Sequence, residues 1–170
     1  MKKKTILIHS NFTRAFTGFG KNKKNIMRYL YDTGKYNLIE LANGIEWEAP
    51  STKLLPWTCR GSLPRPQEMQ GLTTEQQREQ GYGSKLVDRA IKEFKPDVYI
   101  GMEDIWAFNG YHTKPWWNKV NTMIWTTLDS LPILPQAIEY APKIKNYYVW
   151  ASFAEKAMNE LGYNNVKTLR

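Results

Sequence analysis

Residues 5–24 read TILIHSNFTRAFTGFGKNKK, and this stretch decides how the rest of the chain is interpreted. Apolar residues 6–8 predict a short buried strand, and a polar loop with Gly18 and Gly20 leads into a lysine-rich helix start. Glycine lets the backbone come close to a phosphate, and the first N–H groups of a helix attract anions. The stretch therefore predicts an anion-binding strand, turn and helix. The lysines concerned are Lys21, Lys23 and Lys24.

A second interpretation of the same stretch stays open. The TGFG turn can simply close a strand–helix connection, with solvated lysines beside it, because the third glycine of a dinucleotide-binding fingerprint is missing.

The length and composition bound the architecture. The chain has 170 residues, which is enough for one domain with a substantial core, so we expect a single domain over residues 1–170. Aromatic residues make up 14%, with seven Trp and ten Tyr, and the mean hydropathy is -0.58. This composition is typical of a folded globular protein and argues against disorder.

The positive charge is concentrated at one end of the sequence. Residues 1–35 hold nine Lys or Arg and one acidic residue, Asp32, whereas the other 135 residues hold 15 of each sign. A nucleic-acid surface or a phosphate pocket would produce this asymmetry, and residues 2–4 can also be a solubilising segment.

Metal and membrane sites are not indicated by the sequence. Cys59 is the only cysteine, so no intrachain disulfide or thiolate zinc site is expected. His9, at the end of a buried strand, is expected to be packed or hydrogen-bonded rather than a ligand. The apolar run after Lys4 is too short for a signal peptide or a membrane span, so a cytoplasmic protein is expected.

The first half of the chain predicts a strand–helix–strand unit followed by an excursion. A helix over residues 22–32, ended by Gly34, precedes a strand over residues 36–41. Residues 43–83 contain prolines and a polar run, and we expect an excursion with short strands around residues 53–57 that can contribute to a binding face. The same residues can equally mark only an irregular loop.

The second half alternates regularly between strand and helix patterns. Strands are expected at residues 97–101, 121–127, 146–150 and 165–169. Ser84 is expected to cap one helix, a short helix is expected over residues 136–141, and Ser152 with Glu155 predicts a capping box. About six strands alternating with helices predict an open, doubly wound, mostly parallel α/β sheet with helices on both faces.

Ligands of such sheets bind beyond the carboxyl ends of the strands, where the strand order reverses. The turn at residues 17–21, the pair Glu103 and Asp104, and the pair Asp129 and Ser130 all follow predicted strands. Trp106 and Phe108 add aromatic surface that can stack on a sugar or a base. We therefore expect these loops to form one site, although loop aspartates can also be turn residues and Trp106 can be core.

Several segments resemble a known family in their order and spacing. They are TGFGKNKKNIMRYL, KPDVYIGMEDIW, WTTLDSLPILP and VWASFAEKAMNELGYNNVKTL. Together they resemble the N-terminal half of a GT-B glycosyltransferase of the large group 1, or family 4-like, class that includes glycogen and sucrose synthases. The resemblance spans nearly the whole chain and implies a Rossmann-like domain that holds the acceptor.

The resemblance also implies the site and the substrate. The donor is a nucleotide diphosphate sugar, the acceptor is unknown, and no metal or other cofactor is expected. The implied catalytic residues are Asp104 and Asp129. The resemblance matches Gly18 and Gly20 to the diphosphate loop and Glu103 to the cleft. The placement of the loops at the strand ends adds further expected substrate or diphosphate contacts, namely Thr17, Phe19, Lys21, Trp106 and Ser130.

The sequence departs from the family because the C-terminal donor domain with its paired glutamates is missing. We expect that domain in cis or on another chain, so this chain alone is expected to be incomplete as an enzyme. Two other functions stay open. One is a non-enzymatic module that binds nucleic acid or an anionic polymer, and the other is a small flavodoxin-like cofactor binder.

Overall fold

A computed structural model describes all residues 1–170 and contains one seven-stranded, all-parallel sheet. The strands are β1 Lys4–Asn11, β2 Tyr36–Glu46, β3 Thr58–Leu63, β4 Val98–Gly101, β5 Asn121–Thr126, β6 Asn146–Val149 and β7 Val166–Thr168. Their order across the sheet is β3-β2-β1-β4-β5-β6-β7, and every neighbouring pair is parallel. The order reverses between β1 and β4, so the predicted doubly wound α/β class is confirmed.

Five α-helices and several single 3₁₀ turns connect the strands. The helices are α1 Gly18–Asp32, α2 Thr74–Gly81, α3 Leu86–Phe94, α4 Pro135–Tyr140 and α5 Ser152–Glu160. None of them combines the length and the apolar character that a membrane-crossing helix requires.

The core is divided unequally between the two faces of the sheet. A cluster of 26 buried residues joins α3, α4 and α5 to one face. A cluster of six buried residues lies on the other face, where Met27 of α1 packs on Ile6 and Ile8 of β1. Parallel sheets bury both faces, but here one face carries most of the apolar packing.

The excursion over residues 43–83 is more regular than the sequence predicts. Residues 43–46 extend β2, and the polar run forms α2, which Thr73 caps by accepting the N–H of Gln76. The strand expected at residues 53–57 is wrong, because Pro50–Leu54 is a 3₁₀ turn and β3 begins at Thr58. Pro56 has no N–H to give to a sheet, so the strand starts only after it. The sheet therefore has seven strands rather than about six.

Two predicted helix caps are also wrong. Ser152 is the first residue of α5, and Ala151 at the cap position offers no side-chain bond. Glu155 accepts the backbone N–H of Thr168 at 2.7 Å instead, which ties α5 to β7. Ser84 is not the cap of α3, since that position belongs to Lys85.

Candidate functional site at the carboxyl edge of the sheet

Helix α1 begins earlier than predicted, and this changes the role of its two glycines. Thr17 is the N-cap, and its hydroxyl accepts the N–H of Gly20 at 3.0 Å. Gly18 and Gly20 therefore lie in the first helical turn rather than in a loop. The N–H groups of Gly18 and Phe19 make no hydrogen bond within the chain, so they remain available to an anion.

The two glycines serve different purposes. A Cβ on Gly18 would meet no atom within 4 Å, whereas one on Gly20 would lie 2.8 Å from the carbonyl oxygens of Phe12 and Ala15. Gly18 thus faces open space, and Gly20 is needed for close packing of the preceding turn.

One of the three predicted anion-facing lysines is buried and is not available. Lys23 is fully buried, forms an ion pair with Glu40 at 2.9 Å and donates to the carbonyl of Ser10 at 3.1 Å. Glu40 also accepts from Trp57 and from both the N–H and the hydroxyl of Thr13. Because every charge in this cluster is hydrogen-bonded, Lys23 anchors α1 to β2. Lys21 and Lys24 are exposed.

A second buried polar cluster lies on the other side of β1. His9 contacts the hydroxyl of Tyr99 at 2.8 Å through Nδ1 and the side-chain oxygen of Asn43 at 2.7 Å through Nε2. An amide oxygen only accepts, so Nε2 carries the proton and Tyr99 donates to Nδ1. Burial lowers the pKa of His9 to about 3, and the imidazole is therefore neutral at physiological pH. His9 is packed and hydrogen-bonded, as the sequence predicts.

Asn43 connects this cluster to the acidic loop after β4. Its amide nitrogen donates to Glu103 at 3.1 Å, and its oxygen accepts the hydroxyl of Ser62 at 2.5 Å. Glu103 is only 3% exposed. Burial raises the pKa of Glu103 to about 7 against the opposing effect of the Asn43 amide. A carboxyl with this pKa can donate or accept a proton near neutrality.

Asn11 links the start of α1 to Glu103. Its side-chain amide donates to Thr17 at 2.9 Å, and its backbone N–H faces the Glu103 carboxyl and lowers the pKa of that group. The Glu103 carboxyl and the cap of α1 are therefore held by the same residue at the end of β1.

The loops after β4 and β5 also meet. The hydroxyl of Thr127 donates to Asp104 at 2.6 Å, and Asp104 is half-buried. Asp129 and Ser130 lie two and three residues further along the same loop and are exposed. Contacts thus run from Thr17 through Asn11 and Glu103 to Asp104 and the β5 loop.

The predicted aromatic residues take separate positions. Trp106 lines a cavity of about 270 Å³ between α2 and α4, where the guanidinium of Arg78 lies 3.7 Å from the ring centroid. Tyr82 contacts the same ring edge-on. No residue of the stretch 17–21 lines that cavity. Phe108 is 3% exposed and packs edge-on against Tyr111, so it belongs to the core rather than to a stacking surface.

Sequence reasoning missed the Asn43 and Ser62 contributions because both residues fall in the segment that was expected to be irregular. The polar Asn43 after an apolar run was the available signal. No group of three or more His, Cys, Asp or Glu side chains is arranged to hold a metal ion.

Comparison with known proteins supports the fold. No family model matches the sequence, and no curated protein matches it significantly. Among solved structures, the chain is similar to UDP-GlcNAc 2-epimerase from Methanocaldococcus jannaschii, with a TM-score of 0.50 and 12% identity. The match covers 97% of this chain and 44% of the epimerase chain, so this chain spans less than half of that protein's length.

This likeness is to a GT-B-like, Rossmann-type fold. It agrees with the fold implied by the family resemblance, and at 12% identity it does not distinguish group 1 glycosyltransferases from other enzymes with the same fold.

Proposed function

We propose that this chain is the acceptor-side domain of an enzyme that moves a sugar from a nucleotide diphosphate sugar to an acceptor. The observation that carries the proposal is the arrangement around Asn11, which connects the cap of α1 to the Glu103 carboxyl. An anion-binding helix start beside a protonatable carboxyl suits a reaction in which a diphosphate departs. The GT-B-like fold supports the same class of substrate.

Each group has a distinct role in this proposal. The free N–H groups of Gly18 and Phe19, with Thr17 and Lys21 beside them, stabilise the negative charge that develops on the diphosphate. Gly20 keeps the turn closed.

The acidic loops supply the proton chemistry of the proposal. Asp104 and Asp129 are the catalytic candidates from the sequence, with Ser130 beside Asp129. Glu103 joins them because its pKa near 7 allows it to hold a proton that the acceptor or the leaving group exchanges. The sugar donor half is supplied by a further domain, in cis or on another chain.

Binding of UDP, GDP and their sugars tests the proposal on the chain as it is. In ¹⁵N-labelled protein, we expect the amide resonances of Gly18 and Phe19 to shift on titration. Gly18→Asp places a carboxylate in open space, so the fold should remain while nucleotide affinity falls at least tenfold.

Asn25→Asp is the matched control, since it adds the same charge at an exposed position further along the same helix. The absence of any shift at millimolar nucleotide, or an equal loss of affinity in both variants, would contradict the diphosphate site.

A further inference from the structure

The residues that lead into the strands carry most of the excess positive charge. Because all seven strands are parallel, their first residues lie at one edge of the sheet, which we call the amino edge. The first residue of each strand and the three residues before it hold eight lysines in all and one acidic residue, Asp97. They account for +7 of the net charge of +8. The segments that hold these charges are residues 1–4, 33–36, 95–98, 118–121 and 143–146.

The five charged segments form a continuous line along the amino edge. They lead into β2, β1, β4, β5 and β6, which are neighbours in that order across the sheet. The two edge strands differ, because the segments that lead into β3 and β7, residues 55–58 and 163–166, contain no charged residue. Neighbouring strands lie about 4.8 Å apart, so the line spans roughly 19 Å.

Most of these lysines are not neutralised within the chain. Asp97 is already engaged, because it accepts the N–H of Thr5 at 2.8 Å and pairs with Lys4 at 3.6 Å. Lys143 lies 3.9 Å from Glu139. The other six are exposed and form no ion pair, and we call them the lysine row: Lys2, Lys3, Lys35, Lys95, Lys119 and Lys145.

The helix ends at the amino edge do not account for so many lysines. Helices α1, α3, α4 and α5 end at this edge, and the carboxyl end of a helix carries about half a negative charge. The four ends together amount to about two negative charges, which is fewer than the charges of the lysine row. The amino edge therefore keeps a positive potential toward solvent.

The surface is concave at one end of the lysine row. A cavity of about 290 Å³ lies at the amino ends of β5 and β6, and no acidic residue lines it. Its charged lining residues are Lys119, Lys143 and Lys145. Asn146 ties the two strands together there, because its amide donates to the carbonyl of Thr122 at 2.8 Å. Three lysines around one cavity favour an anionic group.

The amino edge offers charge but almost no apolar surface. Of the exposed large apolar side chains, only Met1 belongs to the segments that lead into the strands. Surfaces that enter a membrane combine lysines with apolar or aromatic side chains, and single-stranded nucleic acids stack their bases on exposed aromatic rings. Neither feature is present at this edge, so its partner is recognised by negative charge alone.

We infer that the lysine row binds the phosphate backbone of double-stranded nucleic acid without reading the base sequence. A duplex presents a straight line of phosphates with no need for stacking, and the lysine row is likewise linear. A span of roughly 19 Å corresponds to about five base-pair steps of 3.4 Å. Lysine contacts to phosphates hold a duplex in place but carry no sequence information.

The amino edge is separate from the candidate site at the carboxyl edge. The two edges are the length of a strand apart, which is roughly 26 Å for the eight residues of β1. A duplex on the lysine row leaves the loops around Glu103 free. The inference therefore rests on the charge of the amino edge and does not depend on the proposed function.

Fluorescence anisotropy of a labelled random duplex of about 20 base pairs tests the inference. We expect a Kd of about 1–100 µM at about 150 mM salt, and a plot of log K against log salt with a slope between about −3 and −6. The single strand of the same sequence and phosphatidylcholine vesicles with about 30% phosphatidylserine serve as competing partners, and both should bind more weakly than the duplex.

Charge reversal at two positions of the lysine row separates this surface from net charge. The double variant Lys119→Glu with Lys145→Glu should keep the fold, because both side chains are exposed and unpaired. It should lower duplex affinity at least tenfold and make the salt slope shallower by about 2.

The matched control is Lys24→Glu with Lys53→Glu. It makes the same charge change at two exposed, unpaired lysines that lie outside the amino-edge segments, and it should lower duplex affinity less than threefold. The inference is overturned if the duplex does not bind at about 100 µM protein in about 50 mM salt. It is also overturned if both double variants lose affinity equally, or if the single strand or the vesicles bind more tightly than the duplex.

Discussion

His9 and Glu103 are joined through Asn43, and burial shifts their pKa values in opposite directions. Folding lowers the pKa of His9 from 6.5 to about 3. As the pH falls below 6.5, His9 therefore binds a proton in the unfolded chain but not in the folded protein, and the free energy of unfolding decreases. Folding raises the pKa of Glu103 from 4.5 to about 7. As the pH falls from 7 to 4.5, Glu103 is therefore protonated in the folded protein before it is in the unfolded chain, and the free energy of unfolding increases.

These opposite effects predict a pH profile. As the pH falls from 6.5 to 4.5, the His9 titration lowers the free energy of unfolding by about 3 kcal/mol, and the Glu103 titration raises it by a similar amount. The free energy of unfolding should therefore stay nearly constant over this range. Glu103→Gln keeps the Asn43 bond but removes the titration, and the variant should lose about 3 kcal/mol over that range. Urea unfolding at stepped pH measures this difference, with Asp129→Asn, at an exposed carboxylate, as the control. Parallel profiles for Glu103→Gln and the unmodified chain would refute the assignment.

Gly83 is a second residue on which the His9 cluster depends. Its φ is +85°, and an added Cβ would lie 2.8 Å from His9 Nε2 and from the Cβ of Ser62. Gly83→Ala therefore combines backbone strain with a steric clash. We expect urea unfolding to show a free energy of unfolding about 3 kcal/mol lower than that of the unmodified chain. Gly110 has a similar φ of +74° but no atom within 4 Å of an added Cβ. Gly110→Ala should lower the free energy of unfolding by only about 1 kcal/mol. Equal decreases for Gly83→Ala and Gly110→Ala would show that the clash at position 83 is relieved by small movements.

Individual buried polar contacts were the least predictable feature of the sequence. The pattern places Lys23 at a helix start, where a lysine is ordinarily solvated, but Glu40 approaches it from a strand that lies beside it only in the folded sheet. The same is true of Asn43 and Glu103, which are 60 residues apart in sequence. Local patterns do not encode such pairs, because the partner comes from another element.

At the scale of elements, the start of α1 gives a direct test of how its two glycines are packed. Gly18→Ala should raise stability by about 0.5–1 kcal/mol, since Ala is the better helix former and its Cβ meets nothing. Gly20→Ala should instead lower stability by about 1–3 kcal/mol, because its Cβ would press on two backbone carbonyls. Thermal unfolding of Gly18→Ala and Gly20→Ala measures both changes in stability. A stabilised Gly20→Ala variant would mean that the turn before α1 relaxes readily.

Helices and strands with a strong periodicity of apolar residues were predictable from the sequence. Elements bounded by proline were not. The apolar spacing of α3 and the runs of β4, β5 and β6 gave their positions to within a residue or two. Strand β3 has the sequence TCRGSL, with little apolar alternation, and its identity comes from pairing with β2. The local sequence does not determine that this segment is a strand, and its pairing with β2 in the folded sheet does.

At the scale of the molecule, all seven strands are parallel, so their carboxyl ends lie at one edge of the sheet. The sequence alternation was enough to predict this. The unequal cover of the two faces was not predicted, since it depends on where the strand order reverses and not on any single segment.

The same asymmetry predicts a gradient in native-state hydrogen exchange. β1 lies inside the sheet between β2 and β4, and Leu7 and Ile8 are 0% exposed, so their amides should exchange only through global unfolding. β7 has three residues, pairs only with β6 and is packed by α5 on one face, so its amides should exchange through local opening, orders of magnitude faster.

The opposite edge provides the internal control. β3 is also an edge strand, but the turn Pro50–Leu54 and helix α3 both pack on it, so its protection should lie between those of β1 and β7. Equal protection of β3 and β7 in the free chain would show that pairing alone, and not cover, sets edge stability in this sheet.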